Sequence, residues 1–120
     1  MDLKPFLHEA VIPLEDDFKL TLTLDYRVIS QLETLFGKGM IELLGELASS
    51  MSVMTQFLWF MTRKHHPDLS ADVIAGLQYS EKYGQIIAAA LGKTVKDAFR
   101  LAGAAPNLAP KPRKKATVDG

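Results

Sequence analysis

The chain has 120 residues, 48% of them hydrophobic and 23% charged, with fourteen basic and fourteen acidic side chains and no cysteine. This length and apolar content support one domain with one core and exclude wholesale disorder, while the lack of cysteine excludes disulfides and thiolate metal sites. Charge is unevenly spread: Lys111, Arg113, Lys114 and Lys115 gather near the C-terminus with Asp119, which leaves ten basic against thirteen acidic residues over 1–110 and no overall basic character to attract a nucleic-acid duplex.

From Phe18 to Leu24, apolar residues (Phe18, Leu20, Leu22, Leu24) alternate with Lys19, Thr21 and Thr23, the period of a half-buried strand. Residues 9–13 are expected to form its partner, closed by a turn through Glu15, Asp16 and Asp17, with Pro13 tolerable only at an edge. At Asp25 the period changes to that of a helix. Val28, Ile29, Leu32, Leu35 and Phe36 recur at three- and four-residue spacing between an Asp25 N-cap and a Gly37 stop. A second helix follows over 40–47, with Met40, Leu43, Leu44 and Leu47 inside and Glu42 and Glu46 outside. Ser52 is expected to open a third helix running to about Lys64, where Pro67 blocks continuation. Ser70 caps a brief fourth helix that stops near Gly76. A fifth is expected from about Glu81 to Ala102, with Tyr83, Ile87, Ala90, Leu91, Thr94, Ala98 and Leu101 inside and Gly84 and Gly92 weakening its continuity. After Gly103, Pro106, Pro110 and Pro112 with the basic cluster predict a disordered tail over 104–120. The fold class expected is therefore α+β, mainly α: an N-terminal strand pair, then four or five helices in one domain over 1–103.

Residues 1–5 show no basic start followed by an apolar run, and apolar stretches break before membrane-spanning length, so a cytoplasmic location is expected. Catalysis has no candidate among these residues. His65, His66 and Asp68 meet at a helix end, but adjacent histidines diverge on a helix and no second ligand cluster accompanies them, so neither a metal nor another cofactor is expected. Their charges instead suit a helix C-terminus. Asp16 and Asp17 lie in an exposed turn where nothing raises a carboxyl pKa. Ser49, Ser50 and Ser52 lack a nucleophile elbow, and Gly37-Lys38-Gly39 is too short for a phosphate loop.

The sequence says more about surfaces. On the third helix Val53, Met54, Phe57, Leu58, Phe60 and Met61 form one broad apolar arc, and Trp59 falls within the opposite arc of Ser52, Thr55, Gln56, Thr62 and Arg63. A tryptophan there is either covered by another element, such as the hairpin, or offered to a partner as an anchor. Met40, Met51, Met54 and Met61 cluster in the helical middle, as core filler or as an adaptable surface. Phe99 borders the inner stripe of the fifth helix, where it either seals the core or meets a partner. Trp59, Met51, Phe60 and Phe99 are the candidate partner-binding residues.

The order of parts resembles the tail assembly chaperones of long-tailed bacteriophages and gene transfer agents. The run from Leu20 to Gly37 is similar to their opening: an apolar strand, an early helix with a Leu-Glu pair (Leu32-Glu33), and a glycine close behind. A Leu-rich short helix, an apolar helix ending in a basic-His segment, the connection from Pro67 to Ile74, and a final amphipathic helix extend the resemblance over roughly residues 9–102. Residues 1–8 and the basic tail depart from the pattern. The resemblance implies a non-enzymatic assembly factor that binds the tape measure protein, keeps it soluble and helps recruit tail tube subunits. Self-association, residence in the bacterial cytoplasm and absence from the finished virion are implied with it. The alternative is a small nucleic-acid-associated regulator that uses the basic tail, although that tail lacks the interleaved aromatics of a single-strand binder.

Overall fold

The computed structural model describes residues 6–101, with side chains as far as Phe99. Two antiparallel strands, β1 (Leu7–Glu15) and β2 (Phe18–Asp25), precede five helices: α1 (Tyr26–Phe36), α2 (Met40–Leu47), α3 (Met51–Thr62), α4 (Ala71–Gln78) and α5 (Gly84–Leu101). This is the α+β, mainly helical architecture that the sequence periods predict. The expected tail over 104–120 and the domain limit at 103 lie outside the described residues.

The hairpin register runs from Leu7 opposite Asp25 to Pro13 opposite Lys19, then shifts so that Glu15 faces Phe18, a bulge beside the Asp16-Asp17 turn. Alternation places Ile12, Leu20, Leu22 and Leu24 on one face, all buried. Burying each such side chain contributes about 1.5–3 kcal/mol, and a one-residue slip would turn the whole set to solvent. The Thr21 N–H points away from β1, towards a side chain on its other side. Val11–Thr21 is therefore a non-hydrogen-bonded pair, and so by alternation is Pro13–Lys19. The nitrogen of Pro13 thus faces outward, where its missing proton costs no ladder bond.

The chain turns from strand to helix at Asp25, whose Oδ1 accepts the Val28 N–H at 3.0 Å. Gly37, at φ +66°, closes α1 in the left-handed conformation with its N–H on the Glu33 carbonyl. The Glu33 side chain then caps α2 by accepting the Met40 N–H at 2.8 Å.

Two helix starts differ from expectation. Ser50, not Ser52, caps α3, because only Ser50 stands three residues ahead of an N–H it can take, that of Val53. Helix α5 begins at Gly84 rather than Glu81, because the Ser80 hydroxyl accepts the N–H groups of Lys82 and Tyr83 and holds that stretch as a turn. Gly84 is demanded by packing: a Cβ there would lie 2.5 Å from the Gln78 carbonyl oxygen. The inner face of the hairpin closes over α3 and α5, α1 packs on β2 and α3, and α4 bridges α3 and α5. Helix α3 is central, with Phe57, Leu58 and Met61 nearly inaccessible.

Candidate functional site

The four residues singled out in the sequence do not converge on one surface. Met51, at the start of α3, is 44% exposed. Its carbonyl is committed to α4, accepting the Gln78 Nε2–H at 3.0 Å, while the Thr55 hydroxyl donates to Gln78 Oε1. Phe99 is turned inward at 8% exposure, its ring 6.3 Å from that of Phe6. Of its two alternatives, core or contact, it occupies the core side. Trp59 and Phe60, at the far end of α3, are half-buried against the core.

What lies over Trp59 is Arg63, one turn on. Its guanidinium carbon stands 3.6 Å from the ring centroid, within cation–π range. Arg63 Nε donates to the Trp59 carbonyl at 3.1 Å, Nη1 to that of Pro67 at 2.9 Å and Nη2 to that of Leu69 at 2.6 Å. One side chain thereby satisfies carbonyls at the helix end and in the loop beyond it. Burial lowers its pKa from the ordinary arginine value, an effect that the charge of Asp68 opposes.

The two histidines fasten the same end to the hairpin. His66 Nε2 accepts the Thr21 N–H at 2.9 Å, and its ring lies 5.7 Å from that of Phe18. Burial, with the charges of His65 and Arg63, lowers the His66 pKa, in keeping with a ring nitrogen that must stay unprotonated to accept. His65 Nε2 meets Glu9 Oε2 at 2.8 Å, and the Thr23 hydroxyl donates to the same oxygen at 2.9 Å. These bonds, led by that to His65, lower the Glu9 pKa. They also explain why Thr23, on the outer face of the sheet, is buried at 1% exposure. Among the described residues no group of three or more His, Cys, Asp or Glu side chains is placed to hold a metal ion. Among them, too, no helix is long and apolar enough to cross a membrane.

A groove separates α5 from α2 and the first turns of α3. It has a volume of about 330 Å³, with Leu44, Leu47, Met54, Leu91 and Val95 as its apolar lining and Lys96 as its one charged member. Small residues at Ala48, Ala88 and Gly92 keep it open, and a Cβ added at Gly92 would meet nothing within 4 Å. Exposed Ile41 and Met51 continue the apolar strip, each three residues before a lining residue on the same helix face. Of these residues sequence reasoning singled out only Met51 as a partner contact. Met54 was expected chiefly as core, and Gly92 stood out only as a weak point in a helix. The usable signal was small residues one turn from large apolar ones on two helices, which becomes legible only once those helices are known to face each other.

A second cavity, of about 410 Å³, lies at the other end of α3, lined by Asp25, Arg27, Val28, Gln31, Phe60, Arg63 and Lys64. No family model matches this chain, and neither a curated protein nor a solved structure matches it.

Proposed function

We propose that this chain is a non-enzymatic tail assembly chaperone. It seats the apolar stripe of a helical segment of the tape measure protein in the groove between α2, α3 and α5, keeps that partner soluble, and helps recruit tail tube subunits. The observation that carries the reading is the groove itself, open and apolar, bordered by helices and extended by exposed Ile41 and Met51. An amphipathic helix docks by laying side chains at helical spacing into such a groove, and the half-buried thioether of Met54 can adapt to differing side chains. The order of strand pair and helices agrees with the resemblance that names the partner. Several copies along one long partner would cover its apolar surface while the partner awaits tail tube subunits in the cytoplasm of the bacterial host.

Co-expression with a tape measure protein, followed by co-purification and light scattering, tests this. The unaltered chain is expected to give a soluble complex with several copies per partner. Ala48→Glu, which puts a charge at the groove, and Gly92→Leu, which fills it, are expected to leave the partner insoluble while remaining folded themselves. Gly92→Ala serves as the control: it should keep the complex and raise stability by about 0.5–1 kcal/mol, the helical cost of glycine relative to alanine. An insoluble partner beside an unaltered chain that elutes alone would overturn the reading, as would a complex indifferent to both groove variants.

A further inference from the structure

The cavity at the end of α3 is a local reversal of charge. Residues 1–110 are acidic overall, yet Arg27, Arg63 and Lys64 converge here with a single carboxylate, Asp25, whose Oδ1 is occupied as the cap of α1. Among the described residues no carboxylate lies within 4 Å of Arg27 or Arg63, and the Glu9 carboxylate stands 3.5 Å from the half-exposed Lys64 ammonium. Desolvation bears on Arg63, opposed only by the charge of Asp68, which lies beyond ion-pair distance. The lining is not purely ionic: Phe60 and Val28 supply an apolar surface between the cations. A space of about 410 Å³ far exceeds what a lone small ion needs.

We propose that this cavity binds an acidic peptide segment of a protein partner, with an apolar side chain on Phe60 and flanking carboxylates at Arg27 and Lys64. Arginine grips carboxylate and phosphate alike through a free fork of parallel donors, and the fork of Arg63 is spent on the Trp59, Pro67 and Leu69 carbonyls. Arg63 therefore contributes field rather than a bidentate grip, the anionic groups pair with the exposed Arg27 and Lys64, and Phe60 in the lining favours a peptide with an apolar side chain over a bare phosphate. The site is separate from the groove between α2 and α5 and does not rest on the reading given to that groove.

Trp59 is the only tryptophan in the chain and lies beneath Arg63 at the border of this cavity, so its emission reports on the site. The probe is a short tryptophan-free peptide of glutamates around a central leucine, titrated into the full-length protein. A saturable change in emission is expected, weakening as salt rises. Arg27→Glu and Lys64→Glu should each weaken binding by about tenfold, since reversing an exposed charge removes one attraction and adds one repulsion. Circular dichroism checks that both variants fold, and the milder Arg27→Gln should fall between. Equal binding of the same peptide with glutamine for glutamate would overturn the proposal, as would an Arg27→Glu protein that binds like the unaltered chain. Tighter binding of a DNA strand, weakened by the same substitutions, would reassign the site to nucleic acid. The probe is too polar to fill the apolar groove, so failure of the chaperone reading leaves this result standing.

Discussion

Helix α3 is fastened to its neighbours at both ends, with different chemistry at each. At its start the partners are neutral: the Ser50 hydroxyl on the Val53 N–H, and the Gln78 amide spanning the Met51 carbonyl and the Thr55 hydroxyl. At its end they are ionisable: Arg63 on three carbonyls, His66 on Thr21, and His65 with Lys64 around Glu9. Gln78 joins α3 to α4, while His66, His65 and Lys64 join the other end to the hairpin and Arg63 ties it to the loop that follows. Neutral bonds hold at any ordinary pH and salt. Ionic ones respond to both, so the hairpin side is where conditions can loosen the molecule.

The neutral end should show the largest effect. Gln78 is only 5% exposed and makes both of its amide contacts to α3. Gln78→Ala removes them and leaves a gap beside α3, while the Met51 carbonyl keeps only the Thr55 hydroxyl of its two side-chain donors, a cost of about 2–3 kcal/mol. Urea unfolding should show that loss equally at pH 5 and pH 8. A loss that varied with pH would break the contrast between the two ends.

Arg63→Ala comes next, at about 1–2 kcal/mol, because its three carbonyls can turn partly to water and the Trp59 ring loses its cover. Stability should fall, and the Trp59 emission should shift to the red as the indole becomes wetter. If Arg63→Lys restores neither, the planar fork rather than the charge is what the helix end requires. A full rescue by lysine would reduce Arg63 to a cation at a helix terminus.

The same contrast separates what the sequence could reveal from what it could not. Local signals were legible: the alternation of β2, the Asp25 cap, the Gly37 stop and the break at Pro67 each act within a few residues. The start of α3 was misplaced by two residues because Ser50 and Ser52 are equally good caps until the helix phase is known. The start of α5 was misplaced because Ser80 closes a turn that periodicity does not register. His66 and Thr21 are 45 residues apart and Gln78 and Met51 are 27 apart, so neither bond follows from spacing. The cationic cavity is of the same kind. Arg27 opens one helix and Lys64 follows another, and only the docking of α1 on α3 brings them around Phe60.

The smallest expected effect is the most specific to the ionic end. His66 Nε2 accepts a hydrogen bond from the Thr21 N–H, so that nitrogen must be unprotonated, and its pKa in the fold lies below the ordinary value near 6.5. Between those two values the unfolded chain binds a proton that the folded chain refuses, so stability rises with pH across that window. The contribution is complete above about pH 6.5 and is lost as pH falls through the lowered value. Glu9 acts in the same direction but further down. Its pKa is also lowered, from an ordinary value of 4.5, so the stability it contributes is present above 4.5 and disappears only as pH falls below that. Two separate declines are therefore expected on acidification, the upper one from His66. His66→Gln keeps an acceptor that cannot titrate, so denaturant midpoints for that variant should be flat from pH 7 to pH 5 while those of the unaltered chain decline. Exchange of the Thr21 amide locates the effect, since it should quicken over the same range only in the unaltered chain. A decline that persisted in His66→Gln would place the sensitivity in another group and leave the bond to Thr21 without a part in it.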